Sequence, residues 1–449
     1  MAVSAARSVA FEILLRVERE NSYATELLHS AALERLSSRD HGLSTELVMG
    51  VLRWQSLLDR QLAIASSQKF EKLDREVVTA LRLGAYQLQF LSRVPPRAAI
   101  FESVELVKTA RKRSAAPFVN AVLRKIANGI VHNVFQRIRE SPDAATLARN
   151  AAHPAWMIER WVQQYGLEVV RQICVHDQTV PETVIHLHDE QAGHELTSAG
   201  VELSSGRFLS AARRVLSGDI NATRAFREGR VSIQDEASQL IAVLAGRNAN
   251  FANRVILDCC AAPGSKTALL ARYNPRVKIL ATELYPHRAR LLKTLSHLPN
   301  VSVIAADARH MPFATTFDRI LADVPCSGTG TLARNPEIKW KLKVEDLQDL
   351  QTRQIAILKS ALALLSIGGR LVYSTCSLER EENETVIEAV LAGTAEFRVI
   401  DFRQELDRLK ESGGLCWNDI ASLLAGPYLR TIPGVHPSDG FFAALIERP

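Results

Sequence analysis

Apolar residues recur at helical spacing from Ala5 to about Ile130. Val9, Ile13 and Val17 mark one segment, Leu47, Val48, Val51, Trp54 and Leu58 a second, and Val77, Val78, Leu81 and Leu88 a third. Pro95-Pro96 breaks the pattern, and a helix from about Ala98 to Lys112 follows. The basic run Arg111-Lys112-Arg113 ends it, where cations suit the macrodipole. Ser114-Ala115-Ala116-Pro117 leads into a short helix with Arg124 and Lys125. Residues 1–130 thus read as an all-helical domain of roughly five to seven helices. Residues 131–150 are poorly periodic around Ser141-Pro142-Asp143 and read as a linker. A helix opening at His153-Pro154 and ending near Tyr165-Gly166, with short strands Thr183–Leu187 and Val231–Gln234, predicts a small α+β subdomain over 151–245.

Ser238 to Leu244 is helical, and Gly246-Arg247-Asn248 leads into a last domain, 246–449. From Val255 the period alternates. Strands Val255–Leu257, Lys278–Glu283 and Val301–Ala305 are separated by helices over Lys266–Arg272 and Pro286–Ser296. Two further strands, Phe317–Ala322 and Gly369–Thr375, flank one helical segment, and Phe441–Ile446 suits an added antiparallel strand. Such βα units predict a doubly wound, Rossmann-like α/β sheet with helices on both faces. Ligands of these sheets collect outside the carboxyl ends of the strands. The strand over Phe317–Ala322 delivers Asp323-Val324-Pro325-Cys326 to that rim, and the strand over Gly369–Thr375 delivers Cys376. A right-handed crossover makes the two strands parallel neighbours, so both thiols open into one cleft.

Composition narrows the class. The 449 residues are 47% hydrophobic and 23% charged, as in soluble globular chains of two or three domains. No run of eighteen apolar residues suggests a membrane span, and Met1-Ala2-Val3-Ser4 lacks signal-peptide anatomy. The cytosol is the expected compartment. Six cysteines without a C-x-x-C pair predict reduced thiols and no metal site. The net charge of +6 sits in residues 1–130, with 19 Lys+Arg against 13 Asp+Glu, which leaves the rest neutral. A basic third on a neutral body predicts a polyanionic partner.

The first strand-to-helix turn, Asp258-Cys259-Cys260-Ala261-Ala262-Pro263-Gly264-Ser265-Lys266-Thr267, has small residues that admit a ligand close to the backbone. Its Lys266-Thr267 ends like a phosphate loop, but Cys260 and Ser265 stand where that loop needs glycines. The dinucleotide signature is missing too. Glu283, ending the second strand, suits a ribose diol, and Asp307, after the third, an adenine amino group. Lys266 suits either a ligand carboxylate or the loop itself. Arg334, Lys339 and Trp340, after the thiol loop, offer a phosphate contact and a stacking surface, with Trp340 equally suited to a core.

Cys260–Lys266, Asp323–Gly328, Ser374-Thr375-Cys376-Ser377 with Glu381-Glu382-Asn383-Glu384, and Asp439-Gly440-Phe441-Phe442 resemble the motifs of S-adenosylmethionine-dependent RNA cytosine-C5 methyltransferases. Phe118–Arg124 and the helix order resemble the RNA-binding domain of the NusB antitermination factor. Together the resemblance spans nearly the whole chain. Ser265 departs from it, standing where the family has a second glycine. It implies S-adenosylmethionine as cofactor, held by Cys260, Ala261, Ala262, Pro263, Gly264, Ser265, Lys266, Glu283, Asp307 and Asp323. It also implies 16S ribosomal RNA as partner, free or incompletely assembled, with no obligate protein partner, and cytosine 967 as the methylated base. A tRNA or large-subunit target, or a non-catalytic RNA-binding factor, are the alternatives.

The chemistry is legible without the family. C5 of cytosine is too weak a nucleophile until a thiolate adds at C6 and N3 is hydrogen-bonded or protonated. A base must then remove the C5 proton. Cys376, Asp323 and Cys326 are the three candidate groups. Spacing leaves open which thiol attacks; the resemblance assigns the attack to Cys376 and the elimination to Cys326.

Overall fold

The computed structural model describes residues 3–20, 22–28, 36–66, 68–129, 133–247, 255–296 and 298–449. Asn248, expected to lead into the last domain, and residues 131–132 of the expected linker lie outside them. The chain forms two compact units, one of Met1–Val180 with Leu332–Leu342, the other of Pro181–Thr331 with Lys343–Pro449. No described helix is long and apolar enough to cross a membrane.

The first unit is helical, as the 3.6-residue periodicity predicts. Its four longest described helices are Ser38–Ala65, Arg75–Phe90, Ala5–Arg19 and Pro96–Thr109. Ser37 caps the first of these by accepting the Asp40 amide at 3.1 Å, and Pro96 opens the last where its missing N–H costs nothing. Trp54 stacks on Phe90 with centroids 4.9 Å apart, and Leu47, Val48, Leu58 and Leu81 are fully buried. Gly50 is required here, because a Cβ at that position would meet the Tyr86 ring at 1.9 Å.

Two expectations fail in this unit. The described part of residues 131–150, read as a linker, holds helices Val134–Arg139 and Ala144–Ala151. Ile138 and Leu147 bury completely, and Asp143 caps the second helix by accepting the Thr146 amide at 2.7 Å. Six and eight residues are too few turns to show a period. The helices Ala155–Tyr165 and Leu167–Gln178 also belong to this unit, ahead of any α+β subdomain.

The stretch Leu332–Leu342 is likewise an element of the helical unit. Lys339 is 1% exposed, and its Nζ donates to the carbonyls of Arg53 at 2.8 Å and Ala152 at 3.1 Å. Trp340 Nε1 donates to the Leu52 carbonyl at 2.7 Å. Lys339 is therefore unavailable for the phosphate contact expected of it. Burial pushes its ammonium down to about 7, against the nearby Asp177 carboxylate. A lysine that loses its proton on folding releases that proton between about pH 7 and the ordinary lysine range near 10.4. The unfolded chain binds more protons in that window, so stability rises with pH by up to about 1.4 kcal/mol per unit. Urea unfolding at about pH 7.5 and about pH 9, both inside that window, is expected to show that gain, and Lys339→Met to lack it.

The second unit contains two sheets. The smaller is antiparallel, ordered β2-β3-β1-β4, from β1 (Thr183–Leu187), β2 (Glu202–Ser205), β3 (Ala212–Ser217) and β4 (Val231–Ile233). With the helix Glu190–Ser198 it forms the expected α+β element. The larger sheet has β5 (Val255–Asp258), β6 (Lys278–Glu283), β7 (Val301–Ala305), β8 (Phe317–Asp323) and β9 (Leu365–Thr375), parallel in the order β7-β6-β5-β8-β9. The order reverses between β5 and its neighbours β6 and β8, the switch point at which doubly wound sheets open a crevice. β13 (Phe441–Glu447) adds antiparallel to β9, pairing Phe442 with Thr375. β10 (Arg398–Ile400), β11 (Leu424–Ala425) and β12 (Tyr428–Thr431) complete that side. Ile320, Leu321 and Ala322 of β8 and Leu371, Val372 and Tyr373 of β9 are buried, as strands covered on both faces must be.

Candidate active site

Parallel register brings the chemistry to one rim. Asp323 ends β8 opposite Ser374 of β9, so Cys326 and Cys376 follow adjacent strand ends. Their sulfurs lie 3.3 Å apart, a thiol–thiol hydrogen bond and well beyond the roughly 2.0 Å of a disulfide. Both are free and half-buried. The bond to Cys376, then burial, push the Cys326 thiol well above its ordinary value, and the Glu382 carboxylate adds to this.

Asp323 is held from both sides. Ser374 Oγ donates to its Oδ1 at 2.7 Å, and Lys266 Nζ lies 2.8 Å from its Oδ2. Burial opposes the Lys266 charge, but Asp323, with Cys376 and Asp258 behind it, outweighs burial and raises the ammonium. Lys266 thus serves the carboxylate of the thiol loop, 5.1 Å above the Phe441 ring.

The sequence did not reveal what fixes the two thiol loops to each other. Glu382 is fully buried. Its Oε1 accepts from the Ser327 amide at 2.8 Å and from Gln354 Nε2 at 2.8 Å, and its Oε2 from Ser377 Oγ at 2.5 Å and from Ser327 Oγ. One carboxylate therefore binds the residue following each cysteine. Gln354 Nε2 also donates to the Pro325 carbonyl at 2.9 Å. The Gly330 amide donates to the Cys376 carbonyl at 2.9 Å, and a Cβ on Gly330 would meet Gly440 O at 2.2 Å, so the loop closes only around glycine. The acid-rich run after Cys376 was the available signal; the identity of its bonding partners was not in it.

The other strand ends carry the cofactor candidates. The turn after β5 runs Cys259 to Gly264, with Gly264 at φ 115°. Asp258 is 1% exposed, accepts from Thr267 Oγ1 at 2.7 Å, and is pushed up by burial to about 6. Cys259 is core, and burial pushes both Cys259 and Cys260 well above the ordinary thiol value. Glu283 ends β6, 6% exposed, with the Tyr285 amide 3.1 Å and Arg288 3.9 Å from its Oε1. A buried carboxylate with so few donors has acceptor capacity left for a vicinal diol. Asp307 is bound by the Arg309 guanidinium at 2.6 to 3.1 Å, which holds its carboxyl down at about 2. It can accept from a base only by sharing with Arg309. Small residues at the turn and Glu283 at the next strand end fit S-adenosylmethionine.

Residues 242–447 match the family model for the 16S rRNA methyltransferase RsmB/F, and residues 4–128 that of the NusB family. The chain is 33% identical over 461 residues to the probable ribosomal RNA small subunit methyltransferase B of Bacillus subtilis, covering 100% of each. It is 33% identical to ribosomal RNA small subunit methyltransferase B of Pseudomonas syringae, covering 89% of this chain and 88% of the relative. A methyltransferase homologue from Pyrococcus horikoshii shares the fold, with a TM-score of 0.56 at 24% identity, covering 69% of this chain and 100% of that one. The chain therefore belongs to the RsmB/F family of 16S rRNA methyltransferases, joined to a NusB-family domain, and is an S-adenosylmethionine-dependent RNA methyltransferase.

Proposed function

We propose that the protein methylates C5 of cytosine 967 of 16S rRNA through a covalent bond between Cys376 and C6. The two sulfurs 3.3 Å apart, at the ends of the paired strands that also present Asp323, carry this reading. Cys376 loses its proton while Cys326 donates a hydrogen bond to the resulting thiolate. The Cys376 lone pair bonds C6, electron density passes to C5 and to N3, and N3 takes, by way of solvent, the proton that Cys376 gave up. Asp323, steadied by Lys266 and Ser374, accepts the hydrogen bond from that N3–H. Bound S-adenosylmethionine supplies an electrophilic methyl group, which the C5 electron pair takes. The sulfur of Cys376 is by then a thioether and no longer a thiolate opposing ionisation of Cys326. Cys326 then gives its own proton to solvent and, as the thiolate, removes the C5 proton. The electrons of that C–H bond restore C5=C6, the C6–S bond breaks, and N3 gives back its proton.

Bisulfite sequencing of 16S rRNA from cells with and without the gene tests this. Protection at cytosine 967 that disappears with the gene is expected; unchanged protection there, with loss at another cytosine, refutes the target. Glu283→Ala is expected to weaken S-adenosylmethionine binding by roughly 1.5–3 kcal/mol, the scale of hydrogen bonds to a charged group. Unchanged affinity by calorimetry removes Glu283 from the cofactor site.

A further inference from the structure

We propose that Arg60, Arg137 and Arg149 form a phosphate-binding site in the helical unit that holds the backbone of the RNA substrate. Three helices bring them together: Ser38–Ala65, Val134–Arg139 and Ala144–Ala151. Arg60 Nη1 donates to the Arg149 carbonyl at 3.1 Å, Arg149 Nη2 to Thr146 Oγ1 at 3.0 Å, and Arg137 Nη2 to Asn150 Oδ1 at 3.5 Å. Asn150 Nδ2 in turn donates to the Arg137 carbonyl at 3.2 Å. All these acceptors are neutral. Among the described residues none of the three guanidiniums meets a carboxylate, whereas Arg82 and Lys112 of the same unit pair with Asp59 at 2.7 Å and Asp74 at 2.9 Å.

The charges are close enough to matter. Burial, then the charges of Arg137 and Arg149, lower the Arg60 guanidinium. Arg137 and Arg149 are exposed and Arg60 half-buried, so the cluster faces solvent with its hydrogen-bond anchors already made. A guanidinium fixed this way loses little freedom on meeting a phosphate, which supplies the missing negative charge. The basic run Arg111-Lys112-Arg113, the more conspicuous feature in the sequence, is partly spent on Asp74. Two of the three arginines lie beyond residues 4–128, so the site is not part of the segment matched by the NusB family model. A polyanion is the ligand class that meets three cations at once, and on the reading of this chain as an RNA methyltransferase it is the RNA backbone.

The test compares the full-length protein with Arg60→Gln/Arg137→Gln/Arg149→Gln, binding a 16S rRNA transcript from about 50 to about 200 mM salt. Three phosphate contacts contribute about 0.7–0.9 each to the slope of log affinity against log salt, so the slope is expected to fall by roughly 2. Affinity at the lowest salt is expected to fall at least about tenfold. The thermal midpoint of the free variant should not drop, since repulsion is being removed. A folded variant with the wild-type slope and affinity overturns the site, as does loss of the slope only in Arg111→Gln/Lys112→Gln/Arg113→Gln. Salt-independent binding by the wild type would count against RNA-backbone recognition by the chain as a whole, a different result from failure of this site alone.

Discussion

Cys376→Ala is expected to leave a folded protein that transfers no measurable methyl group, a loss on the order of 10⁴ or more, as when a covalent nucleophile is removed. The half-buried sulfur is small, and its loss removes one hydrogen bond, to Cys326. Packing accounts for little of that deficit, so the thermal midpoint should shift by no more than about 1–2 kcal/mol of stability would give. Label transfer from S-adenosylmethionine to unmethylated 16S rRNA, alongside a thermal melt, separates the two. Residual transfer within tenfold of wild type would mean that Cys376 is not the attacking group.

The second large effect belongs to Glu382. Its carboxylate is fully buried and accepts from Ser327, Ser377 and Gln354, so Glu382→Ala leaves several buried donors without an acceptor. Each such donor costs about 1–3 kcal/mol, and roughly 3–5 kcal/mol of destabilisation is expected in total. Glu382→Gln is the more informative variant, because it keeps the size and one acceptor oxygen. The bonds that fix Ser327 to Ser377 also fix the sulfurs beside them, and a misplacement on the order of 1 Å costs about 10² in rate. Loss of the Glu382 charge also removes one of the influences that hold the Cys326 thiol up. The pH profile of Cys326 alkylation, followed in a Cys376→Ser background, should therefore move down in Glu382→Gln. A purely structural role would lower stability without moving that profile.

Much of this site was legible in the sequence because strand period and strand ends are local signals. The apolar run ending at Asp323 and the one ending at Cys376 place both groups on the same rim once the strands are parallel, and the register of Asp323 with Ser374 does so. Phe441–Ile446 was readable as an antiparallel addition for the same reason. What escaped is non-local. Nothing about Glu382 distinguishes it from Glu381 and Glu384 until the fold turns its side chain inward to meet Ser327, fifty-five residues away. The stretch between the two thiols reads as one helical crossover, yet it first leaves its sheet, at Leu332–Leu342, to bury Lys339 in the helical unit. A lysine in a sequence carries no sign of that burial. The helices over 134–151 escaped because each is too short for its apolar face to recur, so the arginines they carry read as linker charge.

The proposed reaction divides its labour between two thiols 3.3 Å apart. Its most direct measurement is a denaturing gel of Cys326→Ala and Cys376→Ala, each incubated with labelled 16S rRNA and S-adenosylmethionine. If Cys376 attacks C6 and Cys326 acts only after methyl transfer, Cys326→Ala will accumulate a denaturant-resistant protein–RNA conjugate and Cys376→Ala will form none. A conjugate with Cys376→Ala and none with Cys326→Ala would contradict that assignment and exchange the two roles.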